Sequence, residues 1–379
     1  MKEFGIYVHI PFCRSKCYYC DFISFGSKEC LWDKYIDALI KEIEFNKKKI
    51  GEKNITTIYI GGGTPSIINS EYITKILSII KENYNIKPNC EITIEVNPGT
   101  ITRKKLEDYK NAGVNRLSIG LQSTNNNLLK EIGRIHTYEQ FLETYKLARE
   151  CGFENINVDL MLALPNQKLS DLEESITEVI KLNPKHISVY SLILEEGTKL
   201  YDMVNNNELS LPDDEIERKM YWTVKNKVEE AGYRHYEISN FSKPGFESKH
   251  NLNCWNQEEY IGFGLAAHSY MDKKRFYNII NLEEYIKNIE ENNFEKNSFV
   301  EEIQNDDDMK KEYMMLGLRK IEGVSIQAFK NKFIDNPLYI FNKELEKLVN
   351  EELLEVDLDN IRLTSKGLDF ANLVWQEFV

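Results

Sequence analysis

Three cysteines fall within eight residues, at Cys13, Cys17 and Cys20, with the spacing CxxxCxxC. Four-iron clusters are held by cysteine thiolates, ordinarily four of them, so three on one short loop would leave one iron open to a substrate or cofactor. A structural zinc site wants four closed ligands, usually as two CxxC-like pairs far apart. No second pair exists here, because Cys30, Cys90, Cys151 and Cys254 stand singly. Lone cysteines commonly serve as small buried hydrophobes, and that is the role expected for these four. The crowded trio therefore points to an open-site iron–sulfur cluster.

A second feature follows some forty residues later. Gly61, Gly62 and Gly63, followed by Thr64 and Pro65, remove every side chain from one short stretch. A plain turn would explain glycine there, but three in a row also let backbone groups approach a small polar ligand. Further polar residues recur at intervals: Glu95 and Asn97, Gln122, Arg134, Asp159, then Tyr190 with Ile193. Arg134 could pair a carboxylate bidentately. Any one of these alone suits a solvated or structural role; their recurrence suggests one shared site.

The elements that must position these residues alternate. Short runs rich in Ile, Val, Tyr and Thr predict strands at 4–10, 57–60, 90–96, 116–119, 155–160 and 186–191, of the kind buried on both faces. Between them, apolar residues at helical spacing predict helices over 31–46, 71–83, 102–112, 138–151 and 170–182. Gly113 and Gly152 sit where C-terminal cap glycines belong. Six β–α repeats imply an α/β fold with a parallel sheet and helices outside, curved into an incomplete barrel; an open flavodoxin-type sheet fits the same pattern. In a barrel the cysteine loop and the polar residues would lie at the C-terminal ends of strands, where active sites are built.

From about residue 205 the pattern loosens. The acidic stretch 301–308 reads as an exposed linker or helix start. Helices are expected over 309–319, 325–333 and 338–351, a hairpin over 353–363 and a last helix over 365–378. That combination resembles a winged-helix module. The expected division is 1–240 for the barrel, 241–300 for an intervening segment and 301–379 for the C-terminal unit.

The bulk numbers narrow the function. A net charge of −13 argues against nucleic acid as partner and against an anionic membrane surface. No apolar run approaches the roughly 20 residues that span a bilayer. The N-terminal residues carry charge and break at Pro11, unlike a secretory leader, and an odd cysteine count disfavours a disulfide framework. A cytoplasmic protein is expected.

Residues 7–22, YVHIPFCRSKCYYCDF, closely resemble the cluster loop of the radical SAM family, in the branch that contains oxygen-independent coproporphyrinogen III dehydrogenase and a group of haem chaperones. The resemblance implies a partial (β/α)6 radical SAM barrel with a small C-terminal helical, winged-helix-like domain. It implies a [4Fe–4S] cluster on Cys13, Cys17 and Cys20, whose open iron chelates the amino and carboxylate groups of S-adenosylmethionine and whose electron cleaves the sulfonium. The cofactor carries the hard chemistry and the protein positions it. By the same resemblance Tyr7, Tyr19, Gly62, Gly63, Thr64, Glu95, Gln122, Arg134, Asp159 and Ile193 correspond to S-adenosylmethionine contacts, with Arg134 and Asp159 belonging to a second molecule in members that bind two.

Within the branch, three departures favour the chaperones. The first cysteine is residue 13, leaving no room for the dehydrogenase's long extension before the cluster. The dehydrogenase pattern continues to a fourth cysteine, where this chain has Phe22. Finally, His250, Asn251, Cys254 and Trp255 resemble the chaperone motif HNxxYW, with Cys254 in place of tyrosine. His250 is thus the candidate haem ligand. The implied function is binding of haem as cargo and its delivery to haem-acceptor proteins, with an electron donor such as flavodoxin or ferredoxin. S-Adenosylmethionine cleavage is left open, and oxidative decarboxylation of coproporphyrinogen III is the alternative.

Overall fold

The computed structural model describes residues 3–379. In β1 (Glu3–Ile10), Phe4, Ile6, Val8 and Ile10 are all buried, while Gly5, Tyr7 and His9 alternate with them. Successive side chains of a strand point to opposite faces, so one face is apolar and the other small or polar. The same parity runs through β2 (Asn54–Gly62), β3 (Asn85–Val96), β4 (Arg116–Gln122), β5 (Asn155–Leu162) and β6 (His186–Ser191). Ile92, Ile94 and Val96 of β3 join the main apolar core, whereas Glu91, Thr93 and Glu95 do not. These strands are buried on both faces, as expected, but only one face is hydrophobic.

β1 to β6 pair in chain order and in parallel. A flavodoxin-type sheet would reverse direction at its first strand; this one does not. With every crossover running the same way and right-handed, the helices all lie on one face. They are Trp32–Phe45, Ser70–Asn83, Arg103–Asn111, Tyr138–Glu150 and Leu169–Leu182. Their buried stripes, for example Ile36, Leu39 and Ile43, pack on the apolar rows and form the core. Local signals agree with this packing: Thr137 and Gln140 form a capping box, and Gly113 and Gly152 take φ of 93° and 80° just past helix ends.

The sheet is wider than six strands. β7 (Arg234–Glu237) and β8 (Asn240–Ser242) extend it beyond β6, antiparallel. On the other flank β9 (Glu259–Phe263) lies parallel to β1, followed by the antiparallel β10 (His268–Met271), β11 (Lys274–Asn278) and β12 (Ser298–Ile303). The twelve-stranded sheet therefore takes in both segments that the sequence division separates at residue 240. The loosely patterned region also contains a long helix, Asp214–Glu230, started by the Asp213 side chain.

A buried carboxylate fixes the added flank. Glu42 accepts from Gly264 N (2.8 Å), Tyr285 Oη (2.6 Å) and Asn278 Nδ2 (2.6 Å). Burial raises its pKa. Beside it Tyr35 donates to the carbonyl of His9 (2.7 Å) and accepts from Leu265 N (3.1 Å), so the end of β1 is tied to the segment after β9.

The C-terminal unit has its own core of Met314, Leu318, Phe329, Leu348, Ile361 and Phe378. It carries β13 (Val324–Ser325), β14 (Leu354–Val356) and β15 (Asn360–Leu363), ordered β13-β15-β14. The helix expected over 338–351 is two, Pro337–Ile340 and Asn342–Asn350. It breaks at Phe341, whose ring packs edge-on against Phe329 and Phe378; tertiary packing overrides helix propensity there. The last helix likewise breaks at Phe370 into Ser365–Asp369 and Ala371–Gln376. Among the described residues no helix is long and apolar enough to cross a membrane.

Candidate functional site

The polar rows of β2 to β6 converge on a cavity of about 420 Å³ at the C-terminal strand ends. Cys13, Cys17 and Cys20 line it, with Gly62, Gly63, Thr64, Glu95, Gln122, Arg134, Asp159 and Tyr19. Two of the expected S-adenosylmethionine contacts lie elsewhere. Tyr7 sits deeper, its ring 6.3 Å from that of Tyr59 and its hydroxyl 3.0 Å from His9 Nδ1. Ile193 opens into a neighbouring cleft instead.

The cysteine loop is held at both ends and in the middle. Cys13 N donates to Phe25 O (3.0 Å) and Phe25 N to Pro11 O (2.8 Å), so the loop returns to its own start. Tyr18 N donates to Ile132 O, and its carbonyl accepts from Leu200 N. The three thiols are unbridged. Burial pushes the Cys20 thiol up to about 11.

Each glycine of the run answers to a different neighbour. A Cβ on Gly63 would stand 2.7 Å from Phe12 O and 3.0 Å from Cys13 Sγ. On Gly62, which has φ of 110°, it would meet the His9 ring at 2.5 Å; on Gly61 it would meet Glu95 Oε1 at 2.9 Å. Gly63 N donates to Ile10 O and Thr64 N to Phe12 O. The run thus lets β2 close against the root of the cysteine loop, as well as leaving backbone exposed to the cavity. The His9 ring fills the space beneath. Its Nε2 is 2.9 Å from Ile23 O, and burial lowers its pKa to about 4, so it is neutral at physiological pH.

Glu95 is the acidic centre of the cavity. It accepts from Tyr59 Oη (2.9 Å) and Gly62 N (3.2 Å). Burial outweighs these bonds and raises its pKa to about 7. The folded pKa lies above the unfolded one, so this group's contribution is most favourable below pH 4.5 and is lost as pH rises to 7; ionising it without a cation nearby costs about 3 kcal/mol. A cationic ligand would recover that cost. Asp159, also raised by burial, accepts from Ser118 Oγ (3.0 Å) and Asn157 Nδ2 (2.7 Å). Arg134 donates to Gly120 O (2.7 Å) and Asn97 Oδ1 (3.0 Å), and its Nη1 is 3.5 Å from Cys17 Sγ. That guanidinium is already fixed, so it shapes the thiol's surroundings more than it waits for a carboxylate. Gln122 takes φ of 72° at a bulge where β4 slips past β5; strained backbone of this kind collects at ligand sites.

The set fits the cofactors that an open cluster implies. Among the described residues no three His, Cys, Asp or Glu side chains are placed to hold a single metal ion; a four-iron cluster asks for something different, one thiolate at each of three irons. Beside the thiols stand a glycine cradle, which any Cβ would fill, and a carboxylate that wants a cation.

Sequence reasoning missed Tyr59 and Ser118 as cavity-lining residues. The signal was available: both share the strand parity of the polar residues already noticed. His250 lies below this layer. Its Nδ1 is 3.0 Å from Thr57 Oγ1, its backbone N donates to Glu91, and its ring stacks 5.2 Å from Tyr59. Burial lowers its pKa to about 4. It plugs the barrel floor and is absent from the walls of both cavities. His136, His186 and His235 are buried and hydrogen-bonded within the fold.

Residues 7–179 match the radical SAM superfamily, and residues 304–370 match the HemN C-terminal domain. The heme chaperone HemW of Bacillus subtilis is 39% identical over 376 residues, covering 98% of each chain. That of Lactococcus lactis is 36% identical, covering 100% of this chain and 98% of its own. The structure of coproporphyrinogen III oxidase (HemN) from Escherichia coli, a radical SAM enzyme, superposes with a TM-score of 0.86 at 23% identity, covering 100% of this chain and 90% of that one; that likeness confirms the fold. The chain therefore belongs to the radical SAM family, in the group whose members are named heme chaperone HemW.

Proposed function

We propose that this protein binds haem and delivers it to haem-requiring proteins, with a [4Fe–4S] cluster on Cys13, Cys17 and Cys20 and S-adenosylmethionine in the adjoining cavity. The observation that carries this reading is kinship with haem chaperones over nearly the whole chain. Phe22 supports it: this side chain is 63% exposed on the cavity rim, at the position where the dehydrogenase pattern has its fourth cysteine.

When bound, the cluster supplies one electron and an open iron that takes up the cofactor's amino and carboxylate groups. The chain's own residues do the rest. Gly62, Gly63 and Thr64 offer backbone to the ligand; Glu95 balances its positive charge; Gln122, Asp159 and Tyr19 line its other sides. Arg134 holds Asn97 and the Cys17 thiol in place, Tyr7 supports the floor through His9, and Ile193 borders the exit. A reduced flavodoxin or ferredoxin is the fitting electron donor. Residues 1–240 form the cofactor-binding part in this division, 241–300 the motif-bearing segment and 301–379 the C-terminal unit. His250 is the motif's candidate haem ligand, but its ring would first have to leave Thr57 and Tyr59.

Haem titration followed by absorption, then transfer to an apo-acceptor protein, tests the function. A haem band and transfer are expected. Formation of protoporphyrinogen IX from coproporphyrinogen III under strict anaerobiosis would overturn the chaperone reading, as would the absence of any haem band. Titrating His250→Ala in parallel assigns the ligand, because unchanged affinity and spectrum would remove His250 from that role.

A further inference from the structure

Next to the cofactor cavity lies a cleft of about 950 Å³, between β6 and β8 on one side and the helices Ser365–Asp369 and Ala371–Gln376 on the other. Ligand pockets typically span about 300–1,000 Å³. Tyr190 lines both spaces. Apolar side chains on its wall remain unusually accessible: Ile193 is 68% exposed, Leu373 53% and Phe370 43%.

One cation lies among the described residues of that wall, Arg319. Its guanidinium carbon is 4.5 Å from the ring centroid of Trp255 and 4.5 Å from that of Trp375. Its Nε is buried without a hydrogen-bond partner, and the guanidinium forms no ion pair among the described residues. The wall also carries Glu217, Glu237 and Asp369, and the hydrogen bonds of the latter two go to other groups. Glu237 accepts from Asn240 Nδ2 and from Ser239 N, and Asp369 pairs with Arg218 and accepts from Trp222 Nε1. Glu237 attracts this half-buried cation through space without bonding to it, and the guanidinium lies over two indoles with its donor fork unused by any protein acceptor among the described residues. Such an arginine is already ordered for a planar acceptor and loses little freedom on binding it. Three distant parts of the chain meet to build it: the helix Lys249–Trp255, the residues after the helix Asp306–Gly317, and the last helix.

We infer that the cleft is a binding site for a flat apolar ring bearing carboxylates, and that Arg319, clamped between Trp255 and Trp375, takes one of those carboxylates. With haem as the ring, this rests on the chaperone reading and places the cargo beside the cofactor cavity, across Tyr190.

The test compares haem with haem dimethyl ester, whose carboxylates are masked. Each is titrated against the full-length, cluster-loaded wild type and against Arg319→Met and Arg319→Lys. Loss of one charge-assisted contact predicts that wild type prefers haem about ten- to a hundredfold. Arg319→Met should bind both ligands alike, near the wild-type affinity for the ester, and Arg319→Lys should keep only part of the preference. Retention of the cluster's visible absorption and of the thermal midpoint identifies a folded variant; if the Met variant fails that check, the drop in preference for the Lys variant decides. A full preference surviving in the folded variants overturns the clamp and leaves haem binding intact. No haem band in the wild type overturns both the clamp and the chaperone reading.

Discussion

The two cavities meet at Tyr190 and are otherwise opposites. In the barrel mouth the buried charged groups already have partners: Glu95 is held by Tyr59 and Gly62, Asp159 by Ser118 and Asn157, Arg134 by Gly120 and Asn97. In the cleft beyond β6 aromatic and aliphatic side chains share the wall with Glu217, Glu237 and Asp369, and the one cation, Arg319, lies between two indoles and forms no ion pair among the described residues. The mouth suits a small polar molecule that must be held in one pose. The cleft suits a large apolar one that needs a single anchoring charge and must later leave.

Four experiments would break or sharpen that contrast. The largest effect belongs to Cys17→Ala, which should abolish the broad visible absorption of the anaerobically reconstituted cluster. Haem affinity should stay within about threefold of wild type, well below the cost of losing a charge-assisted contact; a parallel loss of haem binding would show the two cavities to be one site. Next, Gly62→Ala forces a Cβ onto the His9 ring at a φ of 110°. It should lower stability by about 1–3 kcal/mol in denaturant unfolding and weaken S-adenosylmethionine binding, with the preference for haem over its ester unchanged.

A third test uses pH. Protonation of Glu95, with its pKa near 7, opposes a cationic ligand, so S-adenosylmethionine affinity should fall about tenfold per unit below that value and level off above it. Glu95→Gln should flatten the profile, measured by calorimetry on the cluster-loaded protein; an unaltered slope would remove Glu95 from the contact. The smallest effect is expected for Trp375→Phe, which leaves a weaker stack on Arg319. A cation–π difference of about 0.5–1 kcal/mol corresponds to a two- to fivefold loss in haem affinity, with no change in cofactor binding.

The mouth was largely legible in the sequence, and the cleft was not. Cys13, Cys17, Cys20 and the glycines sit in short continuous motifs, and the strand alternation puts Glu95, Gln122 and Asp159 at neighbouring strand ends. What escaped notice there, Tyr59 and Ser118, follows from the same period of two. The cleft has no such local signature. Trp255, Arg319 and Trp375 are separated by more than fifty residues at each step, and nothing in one segment announces the other two. The motif pointed to His250 because histidine ligates iron, yet Thr57 and Tyr59 draw that ring into the floor. Strand β9 was hidden similarly, because only pairing with the edge of β1 makes Glu259–Phe263 a strand.

That edge has a consequence in time. β1 is made before the other described strands, and its neighbour β9 lies some 250 residues later, paired from Phe4 with Glu259 to Val8 with Phe263. At the usual pace of synthesis the interval is on the order of tens of seconds, during which the strand that carries the cysteine loop has one bare flank. Long-range pairing of this kind is slow to form. The thiols are thus the earliest part of the site to be synthesised and the last to be locked in place, because Tyr35 and Glu42 can anchor the end of β1 only once Gly264 and Leu265 have arrived. Cluster loading should accordingly follow completion of the chain: nascent chains stalled before residue 263 should retain no cluster after reconstitution and desalting, and a stable cluster on them would refute this order.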